Sequence, residues 1–167
     1  MVSTVSKQKL YNTRLDIAED IRAKEIELLN LTLAATLDLK TQAKQAHWNV
    51  KGMNFYQLHL LFDEIATELE DYVDMVAERI TALGGVAMGT ARIAASNSIL
   101  SEYNLDAVTG AEHVTALANS FGTYTKHLRE AIDATEELGD ADTADLYTEI
   151  SRTADKRLWF LEAHLIG

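Results

Sequence analysis

The sequence predicts an all-α protein: four long antiparallel helices in a bundle, with a short extra helix in the middle connection. Three observations carry that expectation. The 167 residues contain no proline, apolar residues recur at 3- and 4-residue steps over long stretches, and the sparse glycines gather where those stretches stop. Average usage would put proline at about 5%, so its absence leaves long helices unobstructed.

Residues 1–16 read as a polar N-terminal arm and residues 17–167 as one bundle domain, since the length suits a single core and no repeat or linker divides it. A first helix runs from Ile17 to Val50, rich in Leu, Ala, Lys and Glu. Lys51-Gly52-Met53-Asn54 ends it, and Asn54 is placed to cap a second helix over 55–83. There Leu58, Leu61, Phe62, Ile65, Leu69, Tyr72, Val73, Val76, Ile80 and Leu83 form the apolar stripe of a buried face. Gly84-Gly85 stops it. The roughly twenty residues that follow are too many for a bare loop, and a short helix over 90–97 fills them. Asp106 is the expected cap of a third long helix reaching Leu138, and Gly139 closes it before a last helix from Asp142 to Leu165.

Composition narrows the function. Without cysteine there is no disulfide, thiolate ligand or cysteine nucleophile. No run approaches the roughly 18 apolar residues of a membrane span, and the start lacks a signal-peptide core, so a cytoplasmic protein with no membrane partner is expected. The net charge of −11 repels nucleic acid and attracts cations.

Four side chains on the second helix, His59, Asp63, Asp74 and Glu78, are metal-ligand types. With about 100° of rotation per residue and His59 as zero, Asp63 falls near 40°, Asp74 near 60° and Glu78 near 100°. They share one stripe, roughly 150° from the apolar face. Asp63 and Asp74 are nonetheless about 16 Å apart along the axis, whereas metal–oxygen and metal–nitrogen bonds are about 2 Å. One helix cannot close such a site. A second copy, antiparallel across a two-fold axis, sets the His59/Asp63 end of one chain against the Asp74/Glu78 end of the other and makes two equivalent sites. Small residues between the pairs, Ala66 and Ala77, let the helices approach. His47, brought back by the short connection, converges with His59. Imidazoles mixed with carboxylates suit non-haem iron, manganese or zinc, and an open, solvent-facing position fits redox chemistry better than a closed structural zinc site.

The run KQAHWNVKGMNFYQLHLLFDEIATELEDYVDMVAERITALGGVAMGT resembles the signature region of the Dps family, the mini-ferritins of stressed cells. The match consists of HWN, His twelve residues on, Asp four further, Asp eleven further, and a D-x-x-x-E ending at Glu78 followed by A-E-R-x-x-x-L-G-G. DTADLYTEISRTADKRLWFLEAHL resembles the family's last helix, and similarity extends from about Glu27 onward. The resemblance implies a ferritin-like four-helix bundle that assembles as a hollow homo-dodecamer with ferroxidase centres at two-fold interfaces. Fe(II) is then oxidised, preferentially by hydrogen peroxide rather than oxygen, and stored as ferric mineral, protecting the cell from oxidative stress. Iron is the implied metal, with zinc a possible substitute at the same ligands. His47, His59 and Asp63 would come from one subunit and the partner's Asp74 and the partner's Glu78 from the other. Ordinary ferritins instead use E-x-x-H motifs inside one bundle, and no E-x-x-H occurs here.

By the same resemblance, Trp48 is an aromatic beside the centre able to give up an electron, and Trp159 is similarly placed. Among the acids of the last connection, Glu136, Glu137, Asp140, Asp142 and Asp145, the resemblance suggests Asp140, Asp142 and Asp145 as lining an iron-entry pore. Glu64 is the candidate for seeding mineral. His113, His127 and His164 have no defensible ligand spacing and read as ordinary helix residues. Family members that bind DNA commonly use a lysine-rich arm, whereas Lys7, Lys9 and Arg14 are countered by Asp16, Glu19 and Asp20. Weak or absent DNA binding is expected; a nucleoid-binding protein with secondary iron oxidation is the alternative.

Overall fold

The computed structural model describes residues 9–166. Five helices follow in order: α1 (Glu19–Asn49), α2 (Phe55–Ala82), α3 (Ala91–Asn97), α4 (Gly110–Leu138) and α5 (Ala141–Ala163). The predicted boundaries hold to within a few residues, and the short helix falls inside the predicted connection.

The ends of the helices fix the topology. Leu83, at the end of α2, accepts a hydrogen bond from Arg22 Nη1 at the start of α1, 2.7 Å away. Val108, just before α4, accepts one from the backbone N–H of Lys51 just after α1, at 3.1 Å. The connection between α2 and α4 therefore runs the length of the bundle, so α1 and α2 are antiparallel and α4 runs parallel to α2. On the way α3 packs against α1. The hairpins α1–α2 and α4–α5 close one core around Phe62, Phe121, Tyr124, Tyr147, Leu33 and Ile65, all at most 1% exposed. Burying side chains of this size stabilises by about 1.5–3 kcal/mol each.

Two caps differ from the sequence expectation. Thr109, not Asp106, starts α4: its hydroxyl accepts from the Glu112 backbone N–H while the Glu112 carboxylate accepts from the Thr109 N–H at 2.8 Å, a reciprocal capping box. Asn54 occupies the cap position of α2 but makes no side-chain bond there.

The described part of the polar arm is tied to the bundle. Tyr11 donates its backbone N–H to the Gly84 carbonyl at 2.7 Å, Arg22 reaches the Tyr11 carbonyl at 3.3 Å, and Leu10 packs on the core. Gly84 makes this possible. Its φ is +89°, a left-handed conformation that favours glycine, and a Cβ there would stand 2.4 Å from the Tyr11 oxygen. Gly84→Ala is therefore expected to cost about 1–3 kcal/mol and to release this segment, seen as a lower denaturant midpoint together with faster tryptic cleavage after Arg14. A lower midpoint with unchanged cleavage would contradict the tether. Lys7 lies outside the described residues.

The core is not wholly apolar. Thr32 Oγ1 lies 2.8 Å from His127 Nε2 and 2.9 Å from the Tyr147 hydroxyl, and Thr36 Oγ1 lies 2.7 Å from the Tyr124 hydroxyl. His127 is a buried helix residue bonded to Thr32, and burial lowers its basicity. Glu25 is fully buried beside this chain of hydroxyls, and neither of its oxygens has a hydrogen-bond partner among the described residues.

Candidate metal centre

The last carbonyls of a helix lack helical donors, and at the end of α1 one of them is satisfied by the other candidate histidine. His59 Nδ1 lies 2.8 Å from the His47 carbonyl, and His47 Nδ1 lies 2.7 Å from the His59 carbonyl. A carbonyl can only accept, so in both rings Nδ1 carries the hydrogen and, when the ring is neutral, Nε2 carries the lone pair. The rings stack 3.8 Å apart at 20°, with Phe55 against His59 at 5.1 Å. Neither Nε2 makes a hydrogen bond among the described residues. This is how histidine ligands are held for metals: one nitrogen anchored, the other available.

Asp63 stands one turn beyond His59 and is about half exposed. Lys44 donates to its Oδ1 at 2.6 Å, and that bond, reinforced by the charges of Lys44, His47 and His59 against slight desolvation, holds the carboxyl below its ordinary range. Asp63 is an ionised oxygen donor at neutral pH. Lys44 also lies 5.8 Å from the centre of the Trp48 ring. The sequence reading missed it, although Lys44, His47 and Trp48 have the 3- and 4-residue spacing of one helix face.

Asp74 and Glu78 lie further along α2, exposed and with no side-chain partner among the described residues. The structure brings His47, His59 and Asp63 towards one end of α2 and leaves Asp74 and Glu78 towards the other. Among the described residues no three His, Asp or Glu side chains of one chain converge closely enough to hold an ion. Apolar side chains also surface at the histidine end: Trp48 is 67% exposed, Tyr56 69% and Met53 99%.

Other candidates are placed as follows. Asp140 is buried rather than pore-facing. It caps α5 through Thr143, and both of its oxygens accept from Arg79 Nη2 at 2.7 Å. Burial opposes its ionisation, but the bonds from Thr143 and Arg79 prevail and keep the carboxyl below its usual range. An inward carboxylate tied to a guanidinium cannot line a channel, and only Asp142 and Asp145, exposed on the first turns of α5, remain candidates. Glu64 is exposed and sits 3.4 Å from Arg157, which bonds Glu68 more closely at 2.7 Å. Trp159 is exposed against Phe160.

The ferritin-like domain family matches residues 26–166. The chain is 40% identical over 157 residues to the DNA protection during starvation protein of Agrobacterium fabrum, covering 94% of this chain and 97% of that one. The chain belongs to the Dps family of ferritin-like proteins. Among Dps proteins of known structure it resembles DpsC from Streptomyces coelicolor, with TM-score 0.92 and 31% identity over 98% of this chain and 96% of that chain. It also resembles a Dps protein from Vibrio cholerae O1, described as a member of a broad superfamily of ferritin-like diiron-carboxylate proteins, with TM-score 0.87 and 26% identity over 93% and 97%. The Dps likeness covers the whole bundle, including both groups of ligand-type residues. Among the described residues no helix is long and apolar enough to cross a membrane.

Proposed function

We propose that this Dps chain is the subunit of a hollow twelve-subunit shell that oxidises Fe(II), preferentially with hydrogen peroxide, at centres shared across two-fold interfaces, and stores the product as ferric mineral. The observation that carries the reading is the reciprocal histidine clamp. It presents two imidazole Nε2 atoms near an ionised Asp63 but leaves the set short of carboxylates, while Asp74 and Glu78 stand about 16 and about 22 Å along the same helix, with no side-chain partner among the described residues. A second antiparallel copy supplies each end with what it lacks, and the exposed Trp48, Met53 and Tyr56 suit a covered surface.

Iron is the substrate. Imidazole and carboxylate together bind Fe(II) and favour the harder Fe(III) as it forms. Zinc, taking the same donors without redox chemistry, acts as a competitor. Trp48 adjoins the clamp as a one-electron donor, Asp142 and Asp145 draw cations towards the shell, and Glu64 offers a carboxylate on which mineral starts. DNA binding is weak or absent, because Lys9 lies over the Tyr11 ring at 4.7 Å on a tethered segment of a chain with net charge −11. The reading places the protein in the cytoplasm.

Asp74→Ala tests the centre directly. Peroxide-driven Fe(II) oxidation, followed by the ferric absorbance, is expected to fall to the rate of protein-free solution while the shell still assembles. Full activity in that variant would refute the shared centre.

A further inference from the structure

We infer that Tyr103 and His113 form a second redox element, a proton-coupled tyrosine that holds an oxidising equivalent behind the histidine clamp. The Tyr103 hydroxyl lies 2.6 Å from His113 Nδ1, and the two rings are nearly parallel, 20° apart at 6.1 Å between centres. His113 is 1% exposed. Its edge meets Phe62 at 6.5 Å, and Phe62 sits on α2 between His59 and Asp63. The backbone bond from Lys51 to Val108 pins the start of α4 to the end of α1, and with it the pair to the clamp.

The surroundings suit a proton acceptor at rest and a cation afterwards. Burial raises the Tyr103 phenol to about 12, so it stays protonated until it loses an electron and then needs a base within reach. Burial lowers the basicity of His113 and keeps the ring neutral; in the tautomer with hydrogen on Nε2, Nδ1 accepts from the phenol at 2.6 Å. Against that, the Asn49 carbonyl and the Glu112 carboxylate both favour the protonated ring. Asn49 is the last residue of the 31-residue α1, where the helix dipole presents its negative end. His113 Nε2 has no partner at full hydrogen-bond geometry among the described residues, so the Asn49 carbonyl acts on the ring as a nearby negative dipole.

The step balances as follows. A one-electron oxidant of the hydroxyl-radical class, formed when ferrous ion reduces peroxide, takes one electron from Tyr103 and becomes hydroxide. The phenolic proton moves to His113 Nδ1, leaving a neutral tyrosyl radical beside an imidazolium. A second ferrous ion then returns an electron, His113 returns the proton, and the net product is ferric ion. The pair thus converts a damaging radical into productive iron oxidation. Trp48, 67% exposed, has no such internal base.

The source of the oxidant rests on the function proposed above; the chemistry of the pair does not. Two measurements separate them. In freeze-quenched, iron-loaded shells given hydrogen peroxide, electron paramagnetic resonance is expected to show a neutral tyrosyl signal that is lost in Tyr103→Phe, while any tryptophanyl signal persists. In iron-free shells, oxidation by flash-generated tris(bipyridyl)ruthenium(III) is expected to give the same signal, with a solvent deuterium isotope effect that disappears in His113→Gln. Tyr103→Phe removes one oxygen and keeps the ring, so it remains informative if His113→Gln fails to fold. A tyrosyl signal undiminished in Tyr103→Phe, or none in the iron-free photo-oxidation of the unaltered shell, overturns the inference whether or not iron is oxidised.

Discussion

Two inactive variants are expected to restore ferrous oxidation when assembled together. Asp63→Ala removes a carboxylate from the histidine end of α2, and Asp74→Ala removes one from the far end. Asp63 is about half exposed and Asp74 is exposed, so each substitution changes stability by only about 0.5 kcal/mol, yet on the proposed shared centre each variant alone loses activity because every centre would lack a ligand. In a mixed two-fold pair one centre carries both defects and the other carries neither. Equal amounts pairing at random give mixed pairs half the time, so about a quarter of the centres, and about a quarter of the rate, return. Co-refolded shells, with mixing verified by mass spectrometry, provide the measurement. A centre built within one chain gives no recovery at all. A verified mixture without activity would end the shared-centre reading.

What could be read in advance follows from periodicity. The 3.6-residue repeat places the apolar stripe of α2 and, on the same arithmetic, the His59, Asp63, Asp74 and Glu78 stripe, because both depend only on position within one helix. Contacts between segments distant in sequence were not legible. The reciprocal His47 and His59 bonds depend on the turn at Lys51–Asn54, the Tyr11–Gly84 tether joins residues 73 apart in number, and the buried Asp140–Arg79 pair joins the connection before α5 to α2. Asp140 is ambiguous in the sequence because an acid near a helix start serves equally as solvated charge, cap or ion-pair partner, and only burial separates these. The Thr109 cap is a different case. Its T-x-x-E signature is local and legible in the sequence, whereas Asp106 rests on residue type alone. His113 and His127 carry no ligand spacing, and their partners, Tyr103 and Thr32, are ones no helical period reveals.

Glu25→Gln is expected to make the protein more stable at alkaline pH and to change little in acid. Glu25 is fully buried, and neither oxygen has a hydrogen-bond partner among the described residues. Burial raises its carboxyl from 4.5 to about 7, with the nearby Asp140 charge adding to the rise and Arg79 opposing it. The bonds Arg79 makes run from Nη2 to both oxygens of Asp140 and from Nε to Thr143, and none reaches Glu25. A carboxyl whose folded value is raised binds a proton that the unfolded chain has released. Its stabilising contribution is therefore complete below pH 4.5, declines as pH rises towards 7, and is gone above that. A shift of this size corresponds to about 3 kcal/mol. The amide of glutamine keeps the volume and cannot ionise, so the variant escapes that loss. Denaturant midpoints of the two proteins, taken at equal concentration, should nearly coincide at pH 4.5 and separate progressively to pH 8, with Glu25→Gln the higher. If the variant were instead less stable at pH 8, Glu25 would be an ionised partner of Arg79 in the folded protein. The core would then hold two carboxylates on one guanidinium rather than one carboxylate and one neutral acid.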